Sequence, residues 1–208
     1  MQSPPPRVPE QTAPTRADNA PARAGAERRR AAAEARLTTE LVSVLSGARR
    51  RALRDGDAQI DTAHLLHSLL ETDPEVRSAF DSGDQFDGGD HVGGQAGDQV
   101  VKVLGYLVQR SIGYGLRWQR TVEDSGAMPV VRERAMSGWS PGAVTAMRRA
   151  LERAARHGEP RARGLDLLAA LVSDRECRAV DVLVRAGVDA EALAERLSRA
   201  HGQGAGPG

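Results

Sequence analysis

The chain has 208 residues, 40% of them hydrophobic and 27% charged, enough for one compact domain of about 150 residues with loose ends. A formal net charge of +1 gives no global pull towards nucleic acid or acidic membranes, and no apolar run is long enough to span a bilayer. Cys177 stands alone, which excludes an intrachain disulfide and a cysteine-based structural zinc site. Aromatic residues make up only 3%, so the core must be filled by Ala, Leu and Val; with no sustained alternation of period two, the expected class is all-α.

Residues 1 to 25 combine Pro, Ala, Arg and Thr with almost no large apolar side chains, and are expected to form a disordered tail. They lack the apolar centre of a secretory signal, and the expectation is a cytoplasmic protein. From Ala26 the sequence turns to Glu, Arg and Ala, strong helix formers without an apolar stripe, and reads as a backward extension of the next helix.

Residues 37 to 70 and 139 to 172 then align without a gap at a constant offset of 102, with nine identities in 34 positions. The shared residues are structural in kind. Ala48 and Ala52, or Ala150 and Ala154, lie four apart on one helical face and admit a close neighbour. Gly56 and Gly158 stand where the apolar period stops, as helix-closing glycines do. Leu65, Leu66 and Leu69 recur as Leu167, Leu168 and Leu171 in a short, heavily buried second helix. The pattern predicts helices over 38–54, 62–71 and 74–80 in the first copy, the last opened by Pro74. It predicts 140–156, 164–173 and 176–186 in the second, followed by a final helix N-capped by Asp189 and ended by the tail GQGAGPG.

Between the copies, residues 81–98 are rich in Gly and Asp and read as a loop; the spacing of Asp84, Asp87, Asp90 and His91 matches neither an EF-hand loop nor the glycine-rich nonapeptide repeat, so a solvated loop is expected rather than a metal site. Residues 98–121 read as a long helix with two faces. One carries Val100, Leu104, Leu107, Ile112 and Leu116, the other Tyr106, Arg110, Tyr114 and Trp118. The second face suits either a core or a partner, since Tyr and Trp are common interface anchors.

The starts Leu37-Thr38 and Trp139-Ser140-Pro141, the motif Thr62-Ala63-His64-Leu65-Leu66 and the turn Gly187-Val188-Asp189 carry a resemblance. Over most of residues 37–200 the chain resembles the Clp N-terminal domain, the double-repeat helical module in front of the AAA+ unfoldases ClpA, ClpB and ClpC. The resemblance implies two pseudo-symmetric repeats packed as one domain, and a module that recognises a polypeptide substrate, an adaptor or an AAA+ partner without chemistry of its own. In ClpC-type domains an acidic residue after the motif's threonine helps to hold phosphorylated arginine. Here those positions are Ala63 and Leu165, which removes the bidentate acceptor. The aromatic residue that opens a repeat, placed in the family in a surface pocket for peptides, corresponds to Trp139 and only partly to Leu37.

Catalytic signatures are missing. Lys102, the only lysine, follows no glycine-rich phosphate loop, and neither a Gly-x-Ser-x-Gly elbow nor a His-Glu-x-x-His helix occurs. His64 and His67 share a helix face but read as structural, as does Cys177. The arginine runs 28–30 and 49–51 are interspersed with acids and read as solvated helix faces. The expectation is therefore no enzyme, no metal, no cofactor and no nucleic acid, but a protein-binding module whose contacts come from Tyr106, Arg110, Tyr114, Arg117, Trp118 and Trp139, with a homodimer possible through the same helix. The alternative reading is a decoy that sequesters peptide-like small molecules, and a hydrolase ranks last.

Overall fold

The computed structural model describes residues 20–81, 95–112 and 138–202, and among these the secondary structure is helical apart from two isolated β-bridges. Helix α1 spans Ala20–Glu34, and the first repeat follows as α2 (Thr39–Asp55), α3 (Thr62–Thr72), α4 (Pro74–Asp81) and α5 (Gln95–Ile112). The second repeat comprises α6 (Pro141–Arg156), α7 (Gly164–Val172), α8 (Arg178–Arg185) and α9 (Ala190–Gly202). The fold class is all-α, as composition and periodicity require.

Two differences from the sequence reading have clear causes. Helix α1 starts inside the stretch expected to be a tail, and it is a separate helix rather than an extension of α2. The chain breaks between them because Leu37 forms a parallel bridge with Ala162, and Thr38 turns its hydroxyl to accept the Leu41 amide at 3.3 Å. A tertiary contact and an N-cap together override strong local helix propensity. Without an apolar stripe, α1 stays outside the core; its described side chains are exposed or half-buried.

The repeats are related by a pseudo-twofold written into the backbone. Leu37 pairs with Ala162 and Ile60 with Trp139, so the residue before the first helix of each repeat bridges the residue before the second helix of the other. The hydrogen bonds repeat too: Thr38 N–H donates to Ala162 O at 3.0 Å, and Ser140 N–H to Ile60 O at 2.8 Å. Helices α2 and α3 pack closely, as do α6 and α7, and across the axis α3 meets α8 while α7 meets α4. Ala48, Ala52, Ala150 and Ala154 are all buried at these crossings, and Gly56 and Gly158 close α2 and α6 with φ of 75° and 73°.

The connection from α7 to α8, residues 173–177, is four residues longer than the single Asp73 between α3 and α4, and the equivalent cross-repeat pairs Asp61–Arg178 and Arg163–Glu75 show that the correspondence has slipped by one beyond it. Val76 then matches Ala179 and Phe80 matches Leu183, all four fully buried. The core is one continuous cluster of mainly Leu, Val and Ala running through both repeats.

Helix α5 stands as a fourth helix beside repeat one over Gln95–Ile112, where the sequence reading has a helix over 98–121 inserted between the copies; residues 113–121 lie outside the described residues. Its buried face is Val100, Val103 and Leu107, with Leu104 and Tyr106 half-buried at the flanks. The expected face ran through Leu104; the observed one is turned towards Val103, which sits against α3, α4 and α8 rather than against one neighbour.

Candidate functional site

Sequence reasoning named six residues. Tyr106 lies on α5, packed partly against the core and facing Arg185 of α8. That guanidinium is raised above its ordinary value, chiefly by the Asp181 carboxylate that accepts from its Nε at 2.7 Å, with Tyr106 a lesser contributor. Trp139 stands at the entry to α6, half-buried on the core, its backbone fixed by the bridge to Ile60. These two rings therefore sit on different helix pairs. Arg110 lies in α5, but its side chain is outside the described residues, as are Tyr114, Arg117 and Trp118 and the acidic cluster Asp84, Asp87, Asp90 and His91. Ala63 is buried and Leu165 half-buried against the core, so neither position of the family's acid presents a polar group.

The most polar buried site is the start of α3. Asp61 caps the helix by accepting the His64 amide at 2.9 Å, and neutral His64 accepts the Asp61 amide at Nδ1, 3.2 Å away. When protonated, the same nitrogen becomes a donor to Asp61 Oδ1 at 2.9 Å, while Nε2 faces Asp57 at 3.2 Å and Asp55 at 3.8 Å. Burial alone would depress the imidazole; the Asp61 hydrogen bond and the three carboxylates outweigh it and raise its pKa. Arg178, the first residue of α8, reaches Asp61 at 2.6 Å from the other repeat. Burial pushes the Asp61 carboxyl up, but His64 and Arg178 together hold it down at about 2. His67, one turn on, is pushed down to about 4 by burial first and by Arg51 and Arg54 next; in its neutral form it donates to Glu71 at 3.2 Å. Both histidines thus have structural partners.

The counterpart at the start of α7 uses other residues. Asp166 accepts the Arg163 amide at 2.9 Å and faces Arg153, whose Nη2 donates to the Leu197 carbonyl at 2.7 Å. Arg163 reaches Glu75 at 3.4 Å, which is the Asp61–Arg178 link with its polarity reversed. Thr62 Oγ1 accepts the Ala179 amide at 3.1 Å, whereas in the other half Asp73 takes that role for Val76 at 3.3 Å and fills the space above Gly164.

Open surface is concentrated elsewhere, between α8 and α9. Helix α5 packs closely on α4, but its counterpart α9 leans on α7 and touches α8 only lightly. The gap is a groove of roughly 1080 Å³ walled by Val172, Val180, Val184, Val188, Ala190 and Ala194. Val184 is 61% exposed and lies on this wall, one of four large apolar side chains exposed among the described residues, with Leu53, Val101 and Val108. The rim carries Arg175, paired with Glu191 at 2.5 Å, and Arg199, facing Glu195 at 3.8 Å. Asp189 Oδ1 is occupied by the Glu191 and Ala192 amides, both at 3.0 Å. The sequence reading put the contacts on the helix over 98–121 and on Trp139, and did not point to this groove.

Cys177 is buried, its thiol 3.4 Å from the Leu171 carbonyl, where it packs rather than reacts. Among the described residues no group of three or more His, Cys, Asp or Glu side chains is arranged to hold a metal ion, and no helix is long and apolar enough to cross a membrane.

The described residues form an all-α double repeat with an apolar-walled groove between α8 and α9. No protein-family model matches the sequence, and no curated relative does. Among solved structures, a chain from structural investigations of a malarial protein secretion system is 13% identical, with a TM-score of 0.51 over 81% of this chain and 96% of that one. This likeness shows a shared fold. The N-terminal domain of the caseinolytic-protease-associated chaperone ClpD from Arabidopsis thaliana is 14% identical over 79% of this chain and 94% of that domain, with a TM-score of 0.49.

Proposed function

We propose that the chain is a non-catalytic protein-binding module that holds a segment of polypeptide in the groove between α8 and α9. The observation that carries this reading is the exposed aliphatic wall at Val184, backed by Val180 and Val188 on a well-packed scaffold. Such a surface gains free energy when an apolar chain covers it, at roughly 25 cal/mol per Å² of apolar area removed from water. The rim pairs both of its arginines with glutamates and keeps a formal excess of one acid, which favours a partner whose contact is mainly apolar with room for one basic group. The Clp-type resemblance supports the same class of ligand: an unfolded substrate, an adaptor or the unfoldase itself. The face of α5 with Tyr106 and Arg110, together with Tyr114, Arg117, Trp118 and Trp139, is a second contact region in this reading.

The test is fluorescence anisotropy of a labelled, chemically unfolded and carboxymethylated protein titrated with the full chain. Val184→Asp places a charge on the groove wall and is expected to weaken binding about tenfold or more, with unchanged thermal stability because the position is exposed. Equal binding by wild type and variant refutes the groove. A loss confined to Trp118→Ala and Trp139→Ala moves the site to the second region.

A further inference from the structure

In the first repeat, Arg77 of α4 folds back over the end of α3, and its Nη1 donates to the carbonyls of Leu70 and Glu71, each at 3.0 Å. These carbonyls belong to the last turn of a helix, where no intrahelical donor remains and the helix dipole is negative. The one-residue slip after α7 makes Val172 and Ser173 the counterparts of Leu70 and Glu71, and Val180 the counterpart of Arg77. Valine cannot reach or donate. Repeat two has no arginine at the corresponding position, and Val172, Ser173 and Val180 all line the α8–α9 groove, the two valines with only 4% and 7% of their surface exposed. The nearby amides go elsewhere: Ser173 N–H to Ala169, Asp174 N–H to Leu171, and Glu176 N–H to the Asp174 side chain.

Charge favours a cation at this place. Of the ionisable side chains lining the groove, three are acidic (Asp189, Glu191, Glu195) and two basic (Arg175, Arg199), a formal balance of −1. The C-terminus of α7 adds partial negative charge at the inner end. The remaining wall is aliphatic, which suits the methylene stem of a long basic side chain.

We infer that the groove takes an arginine of the bound polypeptide, its stem along Val180 and Val184 and its guanidinium on the Val172 and Ser173 carbonyls, as Arg77 sits in repeat one. The inference rests on the proposed function and deepens it by naming the side chain recognised. An unmodified guanidinium is required: carbonyls and an acidic rim repel a phosphate.

The experiment uses the full chain and two neutral Gly/Ser peptides, one with a central arginine and its twin with citrulline, which has the same shape without the charge. The arginine peptide is expected to shift the Ser173 and Asp174 amides and the Val180 and Val184 methyls in NMR spectra. It should bind about tenfold more tightly than the citrulline twin, with affinity falling as salt rises. Val180→Arg supplies the side chain in cis and is expected to abolish that binding. Should this variant not fold, Glu191→Gln with Glu195→Gln, both exposed, is expected to weaken the arginine peptide severalfold and leave the citrulline twin unchanged. Equal binding of the twins, shifts outside the groove, or groove shifts that depend on protein concentration without peptide overturn the inference, the last pointing to a second copy. If Val184→Asp abolishes capture of the unfolded protein while the twins bind alike, the arginine inference falls and the polypeptide reading stands. If neither the peptides nor the unfolded protein bind, both fall.

Discussion

The two links that tie the repeats together occupy equivalent positions and have opposite polarity. Asp61 at the start of α3 holds Arg178 of α8 at 2.6 Å, with the two side chains 2% and 9% exposed. Arg163 at the start of α7 holds Glu75 of α4 at 3.4 Å, with exposures of 38% and 50%. The fold requires a cross-repeat contact at that point but not a given charge, and burial sets how much each contact matters. The buried link acquired further partners, His64, Asp57 and Asp55, because ions removed from water need every lone pair and proton satisfied. The exposed one needs none.

The largest predicted effect follows from breaking the buried side of this comparison. Asp61→Ala leaves Arg178 buried without its carboxylate and removes the α3 cap, and urea unfolding is expected to show a loss of about 3–5 kcal/mol. Next comes Gly164→Ala. An added methyl at that position collides with the Asp73 carboxylate and comes within 3.0 Å of Val76 Cγ2. Because Asp73 is held by the amides of α4, it cannot move aside, and a loss of about 1–3 kcal/mol is expected in the same measurement.

A third, smaller effect is titratable. His64 has a raised pKa in the fold, so protonation favours the native state. Its contribution is full below the unfolded value of about 6.5 and is lost as pH rises through the folded value. Asp61 behaves in the opposite sense: its contribution is full above the unfolded value near 3.8 and is lost as pH falls through about 2. Melting temperature should therefore decline on the alkaline side of neutrality, and His64→Gln should flatten that decline while leaving the acid limb. A wild-type profile with no slope between pH 6 and 9 contradicts the account of this cluster. The smallest effect is Arg163→Ala, for which roughly 0–1 kcal/mol is expected, since both partners are well hydrated. A loss as large as that of Asp61→Ala would remove burial as the deciding factor.

Most of the scaffold was legible in the sequence because its signals are local. The closing glycines Gly56 and Gly158 and the small residues Ala48, Ala52, Ala150 and Ala154 each act within one or two turns of their own helix. The break before α2 was not legible, because it depends on Leu37 meeting Ala162 in the other repeat. The rotation of α5 onto Val103 likewise reflects three neighbouring helices that its own periodicity cannot specify.

The groove was missed for a related reason. It exists because α9 leans on α7 rather than on α8, a tertiary choice, and because Val180 stands where repeat one has Arg77. The second cause did leave a trace: an arginine and a valine at corresponding positions after a helix end. The gapless alignment stops at residue 172, and the one-residue slip that follows hides the pairing. The aromatic residues of 98–121 are the stronger interface signal in the sequence, whereas the groove joins an aliphatic wall to a charged rim and carries no aromatic residue.

Hydrogen–deuterium exchange of the full chain, with and without the carboxymethylated unfolded protein, tests the central claim most directly, because it reads both halves of the pseudo-twofold in one experiment. Residues 172–199 are expected to gain protection on binding, while the equivalent stretch of α3 and α4, residues 70–80, is expected to stay unchanged because Arg77 and the close packing of α5 already fill it. Protection shared equally by both stretches, or confined to α4 and α5, would contradict a groove unique to the second repeat.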